Sequence, residues 1–311
     1  VTEIQAAGKA ETRSGAASMV LSAFLFSLMS LLVKELGTRI PTQEVVFARA
    51  LVSMIVAYVL VRRASPGNWG RRKGLLVVRG LAGFSALSCF FYALVHLPLA
   101  DATVIQYTNP VWTAWLGWIV LGEALTIGEA VLSGAGLLGV LLIARPTFLF
   151  GGDMRLDAFA TVVGVAGALF SAAAYVSVRK LGRTEHPMVI VFYFTVVTVP
   201  ASLPGMLAWG VVMPTLTEVV LLAGVGVTAV LGQLYLTRGL QLETAGRATA
   251  IGYVQILFAA TWGMFFFGEF PDGLSLLGAA MVLVSVVVLA RRRGRPDTRA
   301  VRVEEATAEA V

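Results

Sequence analysis

Charge, cysteine and histidine are all scarce in this 311-residue chain. Charged residues make up 14%, against about 25% in a soluble domain. Hydrophobic residues make up 58%, and the mean hydropathy is +0.83. So little charge excludes an ordinary water-facing surface and predicts a chain solvated mostly by lipid. The single cysteine, Cys89, lies in an apolar run, which excludes a disulfide framework and a cysteine-based metal site. The two histidines, His96 and His186, fall at helix ends and read as interfacial residues. All 18 acidic residues lie in tails, in loops or near the ends of apolar runs, Glu44, Glu129 and Glu218 among them. Proton-driven pumps usually place an ionisable carboxylate or histidine along the pathway, so a proton antiporter of that kind is disfavoured. The net charge of +6 raises nucleic acid as a partner, but the basic residues are placed as a membrane requires. The sequence implies no cofactor and no metal.

What the chain does have is ten apolar runs of membrane-crossing length. They fall at about 16–33, 44–61, 75–96, 100–121, 126–144, 158–178, 188–206, 217–237, 247–267 and 272–290. Pro41, Pro98, Pro146, Pro187, Pro214 and Pro271 lie between them. The first run follows Lys9 and Arg13 but continues into Lys34-Glu35 without a cleavage-like motif, so it reads as a retained helix. With both termini inside, the inner segments hold 18 basic residues and the outer ones four, leaving Arg49 and Arg79 within spans. Basic residues resist translocation, so the termini are expected to be cytoplasmic.

Residues 102–123 and 248–269 are two versions of one segment, 146 positions apart, with eight of 22 positions identical. Both are apolar and both end in Gly-Glu, at Glu123 and Glu269. Spans 1 and 6 also match, through Ala23/Ala168 and Val33/Val178. Five spans per half is an odd number, so equivalent helices cross in opposite directions. The expected fold is all-α and integral to the membrane, with ten transmembrane helices in two inverted five-helix repeats. The chain divides into an inner tail (1–15), a first repeat (16–146), an external linker (147–157), a second repeat (158–292) and an inner tail (293–311).

Several segments resemble the drug/metabolite transporter superfamily, specifically its ten-helix members with two EamA domains. They are residues 100–105, Asn109-Pro110, the Gly-Glu ends at 122–123 and 268–269, and Phe47-Ala48-Arg49. Arg79-Gly80, residues 99–105 and residues 145–151 resemble the G branch of the solute-carrier-35 family and its bacterial relatives. The resemblance covers about 16–292 and implies a transporter. Relatives of this kind move substrates from nucleotide sugars and amino acids to metallophores. A bacterial inner membrane is the expected location.

The polar residues inside apolar runs are the candidate substrate contacts. Asn109 lies roughly 14 Å into span 4 at about 1.5 Å per residue, near the membrane centre. Its counterpart Gln255 reaches a similar depth from the other side. Gln106 shares a helix face with Asn109, and Tyr107 is adjacent. Pro110 lacks an N–H and frees the carbonyl of Gln106, whereas Ile256 stands at the equivalent place in the second repeat. A different kink is therefore expected there. Tyr92, Trp112, Tyr253 and Trp262 are candidate walls for a flat or amphipathic solute, and Tyr175, Gln233 and Tyr235 add polar atoms. Helix packing through the same amides and rings is the competing role for each. Arg238, repeat-equivalent to Tyr92, is the candidate anion contact. Arg79 is expected to snorkel to the inner surface, and Arg49 to pair with Glu44 or Glu35. Glu123 and Glu269, at unfavourable helix C-termini, are candidate latches, each needing a partner such as the N-terminus of the following helix. Small-residue ladders at Ala160, Gly164, Ala168 and Ala172, and at Gly224, Thr228 and Gly232, predict close helix contacts.

The reading that follows is a monomeric secondary transporter of a small polar or amphipathic metabolite, anionic or zwitterionic in preference, working as facilitator or exchanger. The alternatives are a proton- or Na⁺-coupled exporter of amino acids or drug-like compounds and, more distantly, a membrane enzyme acting on lipid. The last lacks any clustered His/Asp, Ser/His or Glu-rich constellation in the sequence.

Overall fold

The computed structural model describes residues 2–36, 39–64, 69–97, 99–123, 126–150, 157–268 and 270–291. Glu269, most of the 147–157 linker and the 293–311 tail lie outside them. The described residues form thirteen helices: α1 (Thr2–Leu36), α2 (Thr42–Ala64), α3 (Lys73–His96), α4 (Leu99–Tyr107), α5 (Asn109–Leu121), α6 (Ile127–Ala144), α7 (Thr147–Phe150), α8 (Ala158–Leu181), α9 (Pro187–Trp209), α10 (Leu216–Leu242), α11 (Ala245–Ile251), α12 (Val254–Phe267) and α13 (Gly273–Arg291). Nine segments among them have the length and hydropathy of a membrane crossing. The tenth crossing is α4 with α5, one span interrupted at Thr108. Helix α1 begins at Thr2, well before the first apolar run.

Helix ends in such a protein need partners for their free amides, because lipid supplies none. Thr126 with Glu129 and Thr215 with Glu218 form capping boxes at α6 and α10. Asp157 caps α8 through the amides of Phe159 and Ala160. His186 accepts the amide of Met188 at the start of α9.

The packing carries the inverted repeat. Helices α2 and α9 are each 23 residues long, begin 145 positions apart and pack on each other. Helix α3 crosses α9 as α10 crosses α2. At the first crossing a methyl on Gly80 would lie 2.8 Å from Val197, and at the second a methyl on Gly226 would overlap Val52. These are the same glycine and the same valine, once from each repeat. Likewise α1 lies along α10 as α8 lies along α3, and α6 pairs with α13. The small-residue ladders are used here: Gly164 of α8 faces Ala93 and Ile105, and Gly232 of α10 faces Phe26.

Candidate functional site

Both copies of the repeated segment are broken near mid-membrane. In the first, Pro110 follows the break, and the amides of Thr108 and Val111 turn back to Ile105 and Thr108 in three-residue turns. In the second, no proline is present, yet Gly252 and Tyr253 make the same kind of turn, with bonds to Thr249 and Ala250. The expected difference in kink is therefore not found. The two breaks meet. The Tyr253 hydroxyl donates to the Tyr107 carbonyl at 3.2 Å, and the two rings lie 5.9 Å apart. That carbonyl's ordinary helical partner, the Val111 amide, is bonded elsewhere. One repeat thus satisfies the backbone group that the other's break sets free.

The symmetry fails toward one end, the end where Arg62, Arg63, Arg71, Arg72, Arg179 and Lys180 gather. At this basic end α5 packs on α11, and α8 touches α10. The repeat-equivalent pairs, α4 with α12 and α1 with α3, make no comparable contact. A small cluster holds the basic end shut. Glu123 accepts Arg179 Nε at 2.7 Å and, through its other oxygen, the Ala245 amide at 2.9 Å. Arg179 also donates to the Gln241 carbonyl at the end of α10. Four helix termini from both repeats converge there. The helix N-terminus that Glu123 caps belongs to α11 of the other repeat, not to the helix that follows it. Arg39–Glu218 and Arg145–Asp272 are ion pairs at the opposite end. The first ties the α1–α2 connection to α10, and the second joins α6 to α13, a pair packed together already, so neither closes that end.

Between α2, α9 and α10 lies a small cavity of about 10 Å³, room for about one water molecule. Arg49, Ser53, Thr195, Thr198 and Gln233 supply its polar lining; Val191, Phe194, Ala229 and Val230 are among the apolar residues. Arg49 and Phe194 are repeat equivalents, as are Ser53 and Thr198. Polar groups buried in a membrane core are costly unless they serve a ligand or each other.

The EamA-like transporter family signature matches residues 13–145 and 158–291, one match on each repeat. The chain belongs to that family. It is 36% identical to a protein described as pseudopaline exporter CntI of Pseudomonas aeruginosa, over 90% of this chain and 97% of that one. Solute carrier family 35 member G1 of Homo sapiens is 30% identical, over 88% of this chain and 78% of its own. A solved crystal structure 16% identical superimposes with a TM-score of 0.79, covering 90% of this chain and 98% of its own, and so shares the fold. The protein is an integral membrane transporter of a small metabolite.

Within this transporter the sequence candidates fall into three groups. Tyr107, Tyr253 and Gln233 lie at the centre or in the cavity, and Tyr175 is within electrostatic reach of both Tyr107 and Arg79. Gln106 and Trp262 are bonded to Ser171 and Ser27 and so hold helices together, although Gln106 Oε1 keeps no partner, while Trp112 bonds Thr108 one turn back at the start of its own helix. Tyr92 stacks on His96 against Phe159, away from the centre. Arg238 is exposed and lies outside the cavity; Asn109, Tyr235 and Gln255 are half-buried. Arg79 does not snorkel: it is 1% exposed, its guanidinium 4.4 Å from the Phe194 ring centroid. Arg49 makes no ion pair with Glu44, which accepts the Val212 amide at 2.9 Å instead. Sequence reasoning missed Phe194, Ser53 and Thr198. Aligning spans 2 and 7 at an offset of 145 would have singled them out as facing equivalents. It also read Arg179 only as a topology signal.

Beside the cluster at the basic end, Glu243 and Arg247 are 2% and 0% exposed, with Oε2 and Nε 3.4 Å apart. Glu243 Oε1 has no hydrogen-bond partner. Burial pushes its carboxyl up from 4.5 to about 7, against the pull of Arg247 and Arg179. The folded protein then keeps a proton that the unfolded chain has released, so stability is full below about pH 4.5 and is lost as pH rises through 7. We expect Glu243→Gln to abolish this decline, on the order of 2–3 kcal/mol, in melting curves taken from pH 4.5 to 7.5. Parallel profiles for the two proteins would show that the carboxyl titrates normally.

Proposed function

We propose that this protein carries a small anionic or zwitterionic metabolite by alternating access, as a facilitator or exchanger, and that the conformation described is open to the outside. The supporting observation is the asymmetry of a two-fold repeat: α5 on α11 closes the basic end, while α4 and α12 stay apart. Exchanging those two contacts generates the state open to the other side. The distribution of basic residues supports a cytoplasmic closed end, and the inner membrane of a bacterium suits the CntI relative. That relative is described as an exporter, which favours efflux. One chain encloses the whole path, so the working unit is a monomer. No catalytic activity forms part of this reading.

Proteoliposome counterflow tests it. Unlabelled substrate inside should drive transient uptake of labelled substrate beyond equilibrium, which a channel cannot do. Strictly linear, non-saturating uptake would sink the carrier reading. Proton coupling is the second reading, favoured by Glu243, whose carboxyl titrates near 7 in electrostatic reach of Arg179. An imposed pH gradient that drives net flux in the wild type but not in Glu243→Gln would select it.

A further inference from the structure

Arg79 lies two turns from the basic end of α3, where an arginine ordinarily reaches for water. Its guanidinium instead lies within the core over Phe194. Gly83, one turn on, makes room for it: a Cβ there would meet Arg79 Nη1 and lie 2.8 Å from the Phe194 ring. Nε and Nη1 have no hydrogen-bond partner, and among the described residues no carboxylate pairs with this side chain. A cation enclosed without a counter-charge is one of the least favourable arrangements a protein can hold. The ring face offsets part of that cost. The rest calls for an anion that is not part of the chain.

Arg49 supplies a second cation, lining the same small cavity as Phe194. It lines the cavity beside Phe194, seven residues from the open end of α2, and makes no ion pair among the described residues. Ser53, Thr195 and Thr198 donate their hydroxyls to backbone carbonyls. The fixed donors free to meet a ligand are therefore the two guanidiniums and the amide of Gln233. The rest of the cavity wall is largely apolar, with Val191, Phe194, Ala229 and Val230, and Phe194 is the residue it shares with Arg79.

We infer that Arg79 and Arg49 form a two-guanidinium binding site, centred on Phe194, for a solute carrying two carboxylates on a short apolar linker. A solute entering from the open end meets Arg49 first and is committed by Arg79. Guanidinium forks match carboxylates in two parallel hydrogen bonds, which an ammonium cannot do. The site rests on the transport reading above and names its substrate class.

The test uses the full-length protein in detergent, with succinate, glutarate and adipate as probes and butyrate and 1,4-diaminobutane as controls at equal ionic strength. Dicarboxylates should raise the melting temperature saturably, and the controls should not. Arg79→Met should weaken dicarboxylate binding roughly 30-fold or more. Its ligand-free melting temperature should equal or exceed that of the wild type, because an uncompensated charge has left the core. Arg49→Gln should weaken binding roughly tenfold without a matching loss of stability. If Arg79→Met fails to fold, Arg79→Lys decides: weakened binding at an unchanged melting temperature supports the site, and unchanged binding overturns it. A variant Arg79→Met that melts lower yet binds dicarboxylates as before would make the guanidinium structural. Saturable binding of the diamine but of no dicarboxylate would also overturn the site. Counterflow of the diamine would leave the carrier reading standing, so the two failures are distinguishable.

Discussion

Glu123→Ala is expected to open the basic end of this transporter and to slow transport at least tenfold. The carboxylate joins α5 to Arg179 of α8 and to the Ala245 amide of α11. Removing it leaves a partly buried guanidinium and a helix N-terminal amide without their shared acceptor. Charge-assisted bonds of this kind contribute about 1.5–3 kcal/mol each. Losing two of them shifts a two-state equilibrium by roughly 30-fold or more. The readout is a cysteine placed behind the latch by Ala248→Cys, with Cys89→Ser in the background, and a membrane-impermeant thiol reagent supplied from the side of the basic end. Ala248 is fully buried in the conformation described. Its labelling should be slow with Glu123 present and fast without it. Arg179→Gln should behave alike. The charge swap Glu123→Arg with Arg179→Glu should restore only part of the closure, since Ala245 N–H still lacks its acceptor at the end of α5. Labelling that stays slow in Glu123→Ala would mean that helix packing alone keeps this end shut.

The second large effect concerns the scaffold. Gly139→Val should destabilise the protein by about 3 kcal/mol and lower its melting temperature accordingly. A Cβ on Gly139 would sit 2.6 Å from the Gly278 carbonyl oxygen, and a Cβ on Gly278 equally close to the Gly139 carbonyl. The obstacle is backbone on both sides, so no rotamer change relieves it, and α6 and α13 must separate. Gly134→Val on the same helix is the control, because a side chain there meets nothing within 4 Å. It exchanges a glycine for a residue of better helix propensity and should be neutral or stabilising. Equal losses at the two positions would show that α6 tolerates no valine for reasons of the helix itself.

Much of this architecture is local and therefore legible in one chain. Apolar run length sets the crossings, the Gly-Glu echo at 122–123 and 268–269 reveals the repeat, and Pro110 marks one break. The other break was not legible, because Gly252 and Tyr253 turn without a proline. Its link to the first break, the Tyr253 hydroxyl on the Tyr107 carbonyl, exists only once the repeats are packed together. Arginine placement was misjudged for a related reason. Depth along a helix predicts snorkelling for Arg79, but depth says nothing about the direction in which a side chain leaves the helix. In helices apolar on every side, no polar face reports that direction.

The sequence by itself determined that this is a lipid-embedded, internally duplicated chain of ten apolar crossings, since those properties follow from residue type and spacing, while its being a transporter rests on its likeness to the EamA-like family. Only the tertiary structure decided which end is closed, and that Arg79 lies over Phe194 rather than in water. An inverted repeat encodes both access states with the same residues, so the sequence serves each equally. The choice between them lies in contacts such as Glu123 with Arg179 and Ala245, which exist only once the two repeats are packed together.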